Sequence, residues 1–402
     1  MVAIPRYRRQ SGPVLLSAGF RPFFLGAAIW AALAIPLWLA LYANEIGLPS
    51  TLAPLIWHAH EMIFGFAMAA VAGFLLTAIP NWTGRMPLQG GPLAILVLLW
   101  ASGRIAVLFS AAIGAPAAAI VDLAFPMVFL AIVARELLAG RNGRKLPMLG
   151  ALLLLLIGNL LVHLESLGIA ATAELGNRIG LSTLLMLIAL VGGRIIPSFT
   201  RNWLTKARPE IAPPAPEGRL DRAALIVTAL ALACWAAAPD AAITPWAALV
   251  AGVAVAIRWS RWRGARTLRE PLLLILHLGY GWLALGLLLL GLDGLTDVLP
   301  ATAALHALTV GAVGTTTLAV MSRASLGHTG RPLTAGPGTK AVYVLITLAA
   351  VLRVLSPLAG QSAELVLSLA GTSWSAAFGL FAILYGGPLT QPRVTGDAAK
   401  PI

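Results

Sequence analysis

The sequence predicts an all-α integral membrane protein with about twelve transmembrane helices. Three observations support this fold class. Hydrophobic residues make up 59% of the 402 residues and charged residues only 11%, whereas soluble domains carry about 25% charged residues. Apolar runs of about 20 residues, long enough to cross a bilayer as helices, recur along the whole chain. The alternating pattern of a membrane β-barrel is absent, so helices must satisfy the backbone hydrogen bonds inside lipid.

The apolar runs define the expected spans and leave little chain beyond connecting loops. Their ranges are 18–43, 54–79, 92–111, 115–135, 147–169, 176–197, 222–239, 242–258, 270–291, 299–321, 340–358 and 364–385. The first run is too long for the apolar core of a cleaved signal peptide, and we expect it to remain as a span. The sequence therefore predicts one polytopic domain over 1–402. A Pro-rich segment, 201–221, is expected to be a cytoplasmic linker after span 6.

The net charge of +13 has two possible explanations. In a soluble protein it would favour nucleic acid as a partner, but here the charges lie in short loops between apolar spans. If the N-terminus is cytoplasmic, all Lys and Arg residues except Arg104, Arg178 and Arg353 lie on the cytoplasmic side. The positive-inside rule then predicts that both termini are cytoplasmic. Neither nucleic acid nor nucleotide is expected as a partner, since no phosphate-binding glycine motif follows a predicted strand.

Three segments resemble one another, which predicts an internal repeat. Residues 60–85 and 306–331 both begin with His, carry Gly five residues later and end in Thr-Gly-Arg. Residues 196–201 echo the end of the first segment, and Asn177 then takes the place of the histidine. The alternative is chance similarity between apolar stretches. The repeat predicts four-helix units at about 14–139, 140–262 and 263–386, a plan that resembles the haem–copper oxidase catalytic subunit by fold analogy alone.

Five of the six histidines lie within predicted spans. Ionisable groups in lipid are costly and are therefore candidate functional groups, and imidazole ligates haem iron, copper and zinc. The intramembrane candidates are His58, His60, His163, His277 and His306, whereas His328 is expected in a loop. The alternative for each is a structural hydrogen bond to a neighbouring carbonyl. Glu61 follows His58 by three residues and is expected to orient it or to lie at the interface.

The three arginines that depart from the positive-inside bias have two interpretations. In the first, Arg104, Arg178 and Arg353 pair with carboxylates such as haem propionates near the outer histidines. In the second, they pair with acidic residues of the protein itself, such as Glu174 or Glu364.

Five strings along the chain resemble the NnrS family. They are SAGFRPFFL (17–25), WHAHEMIFGFAMAAVAGFLLTAIPNWTGR (57–85), LVGGRIIPSFTRNWL (190–204), LHLGYGWLALG (276–286) and HALTVGAVGTTTLAVMSRASLGHTGRPL (306–333). Members of that family are multi-span proteins of the bacterial inner membrane, described as containing haem and copper and as linked to nitric oxide metabolism and nitrosative-stress resistance. The resemblance implies haem, copper and nitric oxide as ligands. It leaves the haem type, the electron donor and any turnover open.

Given those cofactors, His60 and His306 are expected to face one another and to bind one haem iron, because their shared register implies a shared depth. His58 and His163 are then left for copper, with His277 a less favoured ligand. Arg104, Arg178 and Arg353 are the candidate partners of the haem. No catalytic residue is assigned. The alternatives are a twelve-helix secondary transporter and a non-catalytic membrane partner of denitrification or respiratory enzymes.

Overall fold

The computed structural model describes residues 12–140, 146–296 and 300–394, and most of these residues are helical. No strand occurs in these ranges, and twelve helices are long and apolar enough to cross a membrane. They are α1 Phe20–Tyr42, α2 Pro54–Thr83, α3 Gly91–Leu108, α4 Ala115–Ala139, α5 Pro147–Ser166, α6 Ala173–Ala207, α7 Arg219–Ala237, α8 Ile243–Ser260, α9 Pro271–Asp293, α10 Ala301–His328, α11 Pro337–Leu358 and α12 Gly360–Thr390. The predicted fold class and number of spans are confirmed.

Several helices extend beyond the apolar runs that predicted them. Hydropathy marks the residues inside lipid, whereas a helix continues until its backbone turns. α2 and α10 end at glycines in the left-handed conformation, Gly84 (φ 71°) and Gly330 (φ 75°), which is a common helix ending. His328 is consequently the last residue of α10 and does not lie in a loop. The non-helical linker after α6 covers 208–218 and is shorter than the predicted 201–221.

Three helices contain a π-helical stretch: Glu61–Ala67 in α2, Ile188–Gly192 in α6 and Ala307–Gly314 in α10. Such stretches interrupt α-helices frequently at functional sites. In α2 and α10 the stretch starts directly after His60 and His306, in the register of the sequence similarity. In α6 it starts well after Asn177. The three-unit repeat and the likeness to haem–copper oxidases stay predictions.

Contacts between the helices divide the described residues into two compact units. The first unit holds residues of 1–180, 324–331 and 381–399, and in it α1 packs on α2, α3 on α4 and α4 on α5. The second unit holds residues of 181–323 and 332–380, and in it α7 packs on α8, α8 on α9 and α9 on α10. The twelve helices make this a multi-pass membrane protein.

Arg21 of the SAGFRPFFL string fixes the end of α12 in the first unit. Its Nη1 donates to the carbonyl oxygens of Pro388 (3.2 Å), Leu389 (2.8 Å) and Gln391 (2.9 Å). The last carbonyls of a helix have no partner within the helix, and a guanidinium there also complements the helix dipole. The arginine is therefore a buried helix cap.

Candidate metal centre

A cluster of six polar side chains lies inside the first unit, where α2, α3, α4 and α5 meet. Each of the six is at most 2% exposed. The members are His60, Glu61, Arg104, Asp122, Asn159 and His163. Polar groups this deep in a membrane protein are costly unless they are paired. Each of the six side chains contacts at least one other member, although Arg104 Nε has no hydrogen-bond partner among the described residues.

Asp122 links the two histidines. Its Oδ2 lies 3.2 Å from His60 Nε2 and 2.9 Å from His163 Nε2, and it also accepts a hydrogen bond from Asn159 Nδ2 at 2.9 Å. The two imidazole rings stand 5.5 Å apart, centre to centre. One nitrogen or oxygen from each of His60, Asp122 and His163 lies within 4.8 Å of the others. The three side chains therefore converge on one point.

His60 is held from both sides of its ring. Its Nδ1 lies 3.0 Å from Glu61 Oε1, and its Nε2 lies 2.8 Å from Asn159 Oδ1. A carboxylate can only accept, so Nδ1 carries the proton and donates to Glu61. Nε2 also faces acceptors, Asn159 Oδ1 and Asp122 Oδ2, so without a metal the ring donates from both nitrogens. A metal at Nε2 would take the place of the proton there. A histidine whose second nitrogen donates to a carboxylate is the usual arrangement of a metal ligand.

Arg104 joins the two carboxylates of the cluster. Its Nη1 donates to both oxygens of Glu61 at 2.7 Å, and its Nη2 donates to Asp122 Oδ1. The expected pairing of Arg104 with a carboxylate thus occurs with acidic residues of the protein, although these are Glu61 and Asp122 and not the suggested Glu174 or Glu364. Glu61 binds His60 and Arg104 here.

Two glycines, which have no side chain, provide the space that the ion pairs occupy. A Cβ at Gly103 would lie 2.6 Å from Asp122 Oδ1. A Cβ at Gly65 would lie 2.7 Å from Glu61 Oε2 and 2.8 Å from Arg104 Nη1. Such separations are too short for a side chain, so both positions require glycine for close approach rather than for an unusual backbone angle.

The cluster fits a metal cation by charge and by donor type. With neutral histidines, two carboxylates and one guanidinium leave a net charge of −1 among buried groups. An unbalanced buried charge is costly. A second proton on His60, whose ring nitrogens both face acceptors, balances it, and a metal cation that replaces this proton would balance it as well. Two imidazole nitrogens and one carboxylate oxygen suit copper(II), iron(II) or zinc.

His306 lies on the part of α10 that belongs to the second unit. Its Nδ1–H donates to the carbonyl oxygen of Thr302 at 2.7 Å. This is the structural hydrogen bond considered as the alternative to ligation, but it also places the lone pair on Nε2, the nitrogen left for a metal. His60 belongs to the first unit, so shared ligation with His306 stays a prediction.

The remaining candidate histidines have separate surroundings. The ring of His58 stands edge-on to Trp38, with 4.9 Å between ring centres. His277 Nε2 lies 2.9 Å from Thr200 Oγ1 in the second unit, and a Cβ at Gly264 would lie 2.7 Å from its Nδ1. Neither belongs to the His60–Asp122–His163 group.

The other two arginines make local contacts. Arg178 Nη1 lies 3.4 Å from Glu174 Oε2, one helical turn away, which is the protein-acid pairing considered from the sequence. Arg353 Nη1 donates to Ser356 Oγ at 2.9 Å. Their suggested role towards haem stays a prediction.

A second buried ionic cluster lies in the second unit and contains no histidine. Arg258 is 1% exposed, and it donates to Asp221 Oδ1 (3.2 Å), the Ala189 carbonyl (2.8 Å) and Tyr280 Oη (3.0 Å). Arg261 Nη1 donates to the other oxygen of Asp221 at 2.8 Å. Ala189 belongs to the π-helical stretch of α6, so Arg258 satisfies a carbonyl of that stretch.

Sequence reasoning missed two residues of the first cluster. Asp122 is the one acidic residue in the apolar middle of span 4, and an intramembrane carboxylate is itself a candidate functional group. Asn159 precedes His163 by four residues and so shares its helix face. Both signals are present in the sequence.

The similarity to known proteins covers almost the whole chain at the level of the family. No curated protein matches it. A family model described as NnrS protein matches residues 14–393, a range that includes all twelve helices and every member of the buried cluster. The chain therefore belongs to the NnrS family.

Proposed function

We propose that this protein binds copper and haem in the bacterial inner membrane and takes part in nitric oxide metabolism or in resistance to nitrosative stress. The observation that carries the proposal is the buried His60–Asp122–His163 group, whose donor set and charge suit a metal cation. Membership of the NnrS family, which is generally metal-associated, supports the same conclusion.

We assign copper to His60, Asp122 and His163. Glu61 and Asn159 orient the His60 ring, and Arg104 fixes the positions of both carboxylates. Outer partners of this kind commonly tune the ligands of protein metal sites. When bound, copper would supply one-electron redox chemistry, while the packing of the four helices keeps bulk water away from the ligands. The copper site expected from the sequence was His58 and His163, so this assignment keeps His163 and replaces His58 by His60 and Asp122.

We assign haem to His306, whose Nε2 is available to an iron atom because Nδ1–H is bonded to Thr302. The expectation that His60 shares this haem iron competes with its place in the copper site. The two proposals differ in whether replacing His60 removes the bound copper or the haem absorption.

Absorption spectra and metal analysis of the purified protein and of single variants test both proposals. A Soret band and about one copper per chain are expected for the native protein. Under the copper assignment, His60→Gln, Asp122→Asn and His163→Gln lose copper and keep the haem spectrum, while His306→Gln loses the haem. Under shared haem ligation, His60→Gln and His306→Gln both lose the Soret band. His328→Gln, at the end of α10, is the control that should leave both signals unchanged.

A metal-free, colourless preparation of correctly folded protein would contradict the metal proposal. The buried carboxylates and arginine would then favour a secondary transporter that moves protons or cations, since such groups mark ion pathways in membrane proteins. Uptake by proteoliposomes, abolished in Asp122→Asn, would identify that function. Absence of both metal and transport would favour a non-catalytic membrane partner of respiratory enzymes.

We propose that both termini lie in the cytoplasm, on the basis of the distribution of Lys and Arg. Reporter fusions at Ala115 and Pro209 are expected to report the periplasmic and the cytoplasmic side respectively. The reverse pattern would overturn this orientation.

A further inference from the structure

We propose that a cleft between α4 and the end of α2 binds a phospholipid with an anionic headgroup. The cleft lies within the first unit, is bordered by the α2–α3 connection and has a volume of about 370 Å³. That volume falls within the range of about 300–1,000 Å³ that is typical of ligand sites. Its position at the ends of membrane-spanning helices is where a lipid changes from acyl chain to headgroup.

The inner wall of the cleft is apolar. It is formed by side chains from the facing surfaces of α2 and α4, among them Leu76, Ile79, Pro80, Ile132 and Val133. Such a wall provides no hydrogen bonds and favours a hydrocarbon chain. It explains the lipid part of the proposed ligand but not its charge.

The rim of the cleft carries a positive charge. Arg85 Nε and Arg135 Nη2 both contact the carboxylate of Glu136, the second at 2.8 Å, so two guanidinium groups share one negative charge. The side chains of Arg85 and Arg135 are 44% and 65% exposed, whereas that of Glu136 is 14% exposed. Each guanidinium has five N–H donors, more than one shared carboxylate can accept from. Guanidinium groups arranged in this way suit a phosphate group.

Arg85 does not itself line the cleft, but the Thr-Gly-Arg motif that ends α2 places it in contact with Glu136, which does. Thr83 Oγ1 donates to the Ile79 carbonyl (2.9 Å) and accepts from the Arg85 backbone N–H (3.3 Å), and Gly84 turns the chain with its left-handed backbone. The second copy of the motif has different surroundings. There the backbone N–H of Val394 donates to the Thr329 carbonyl at 2.9 Å, so a C-terminal segment of the chain packs against the motif.

The combination of wall and rim selects one ligand class. Free phosphate would bind the guanidinium groups but would leave the apolar wall of the cleft exposed to water. The acyl chain of a zwitterionic or neutral lipid would cover the apolar wall, but its headgroup would not balance the net charge of +1 at the rim. An anionic phospholipid joins a hydrocarbon chain to a phosphate at the right boundary, and basic residues at membrane surfaces attract such lipids.

Lipid binding to the full-length protein in detergent is measured by native mass spectrometry, with phosphatidylglycerol as the probe and phosphatidylcholine and inorganic phosphate as comparisons. The double variant Arg85→Gln with Arg135→Gln is expected to weaken phosphatidylglycerol binding about fivefold for each guanidinium removed. The matched control is Arg263→Gln with Arg266→Gln, which removes the same charge from exposed positions outside the cleft. The control should retain the native affinity.

Two further variants keep the proposal falsifiable if the arginine variants fold poorly. Glu136→Gln removes the competing carboxylate and is expected to raise phosphatidylglycerol affinity about fivefold. Ile132→Trp fills the cleft and is expected to abolish selective binding while the charges remain. The proposal is overturned if phosphatidylcholine binds as tightly as phosphatidylglycerol, if free phosphate binds as tightly as the lipid, or if the cleft variants match the control. These readouts do not involve metal, so they stand apart from the test of the proposed function.

Discussion

The two buried ionic clusters of this protein are built from similar parts but have opposite charge. In the first unit, Glu61 and Asp122 share Arg104, which leaves a net charge of −1 when the two histidines that contact Asp122 are neutral. In the second unit, Arg258 and Arg261 share Asp221, which leaves a net charge of +1 and no histidine. Charge balance therefore distinguishes a cluster suited to a cation from a cluster that joins helices.

The partners of the two arginines support the same distinction. Arg104 bonds only side-chain carboxylates among its described hydrogen bonds. Arg258 also bonds the Ala189 carbonyl and the Tyr280 hydroxyl, and its guanidinium stands 5.4 Å from the Trp262 ring. The second cluster thus connects α6, α7, α8 and α9, whereas the first holds acidic groups in place.

The largest expected difference follows from removing each arginine. Arg104→Met leaves Glu61 and Asp122 buried without their cation, and we expect it to lower the free energy of unfolding by about 3–5 kcal/mol. Arg258→Met leaves Asp221 paired with Arg261, and we expect a loss of about 1–3 kcal/mol. Thermal unfolding in detergent measures both. Added copper(II) should recover part of the loss in Arg104→Met only. Equal losses, unaffected by copper(II), would remove the distinction between the clusters.

A smaller effect is expected from the glycine beside each cluster. Gly103→Ala would push a methyl group against Asp122, and Gly193→Ala would push one against the Arg258 guanidinium. Overpacking of this kind costs about 1–3 kcal/mol, so both variants should unfold at lower temperature. Copper titration of the purified proteins then separates them, because only Gly103→Ala displaces a proposed ligand. A parallel loss of copper in Gly193→Ala would mean that affinity follows general stability.

The smallest effect concerns a residue that does not ligate the metal in our proposal. Asn159→Ala removes the contact to His60 Nε2 and the hydrogen bond to Asp122, and we expect copper affinity to fall about 10- to 100-fold. Tyr280→Phe removes the corresponding neutral partner of the second cluster and should leave copper affinity unchanged. Competition with a chelator of known affinity provides the measurement. If Asn159→Ala also binds copper with native affinity, Asn159 only packs the helices.

The sequence was sufficient for the spans because hydropathy is a local property. All twelve helices coincide with apolar runs. The cost of placing ionisable groups in lipid identified His60 and His163 as candidates, and the departure from the positive-inside bias identified Arg104, without any knowledge of their neighbours. The same reasoning, applied to Asp122, would have added the residue that links the two histidines. Helix ends were less well predicted, because α6 and α10 continue past the apolar stretch.

The sequence by itself determined that this chain forms membrane helices with costly polar groups inside them, since both properties depend on residue type and on spacing along the chain. Only the tertiary structure decided which polar groups meet. Glu61, Arg104, Asp122 and Asn159 are separated by up to almost a hundred positions, and their contacts depend on which helix faces pack together and on the room that Gly65 and Gly103 leave. For the same reason, the three-residue spacing suggested that Glu61 orients His58, whereas in the folded protein Glu61 contacts His60 and Arg104.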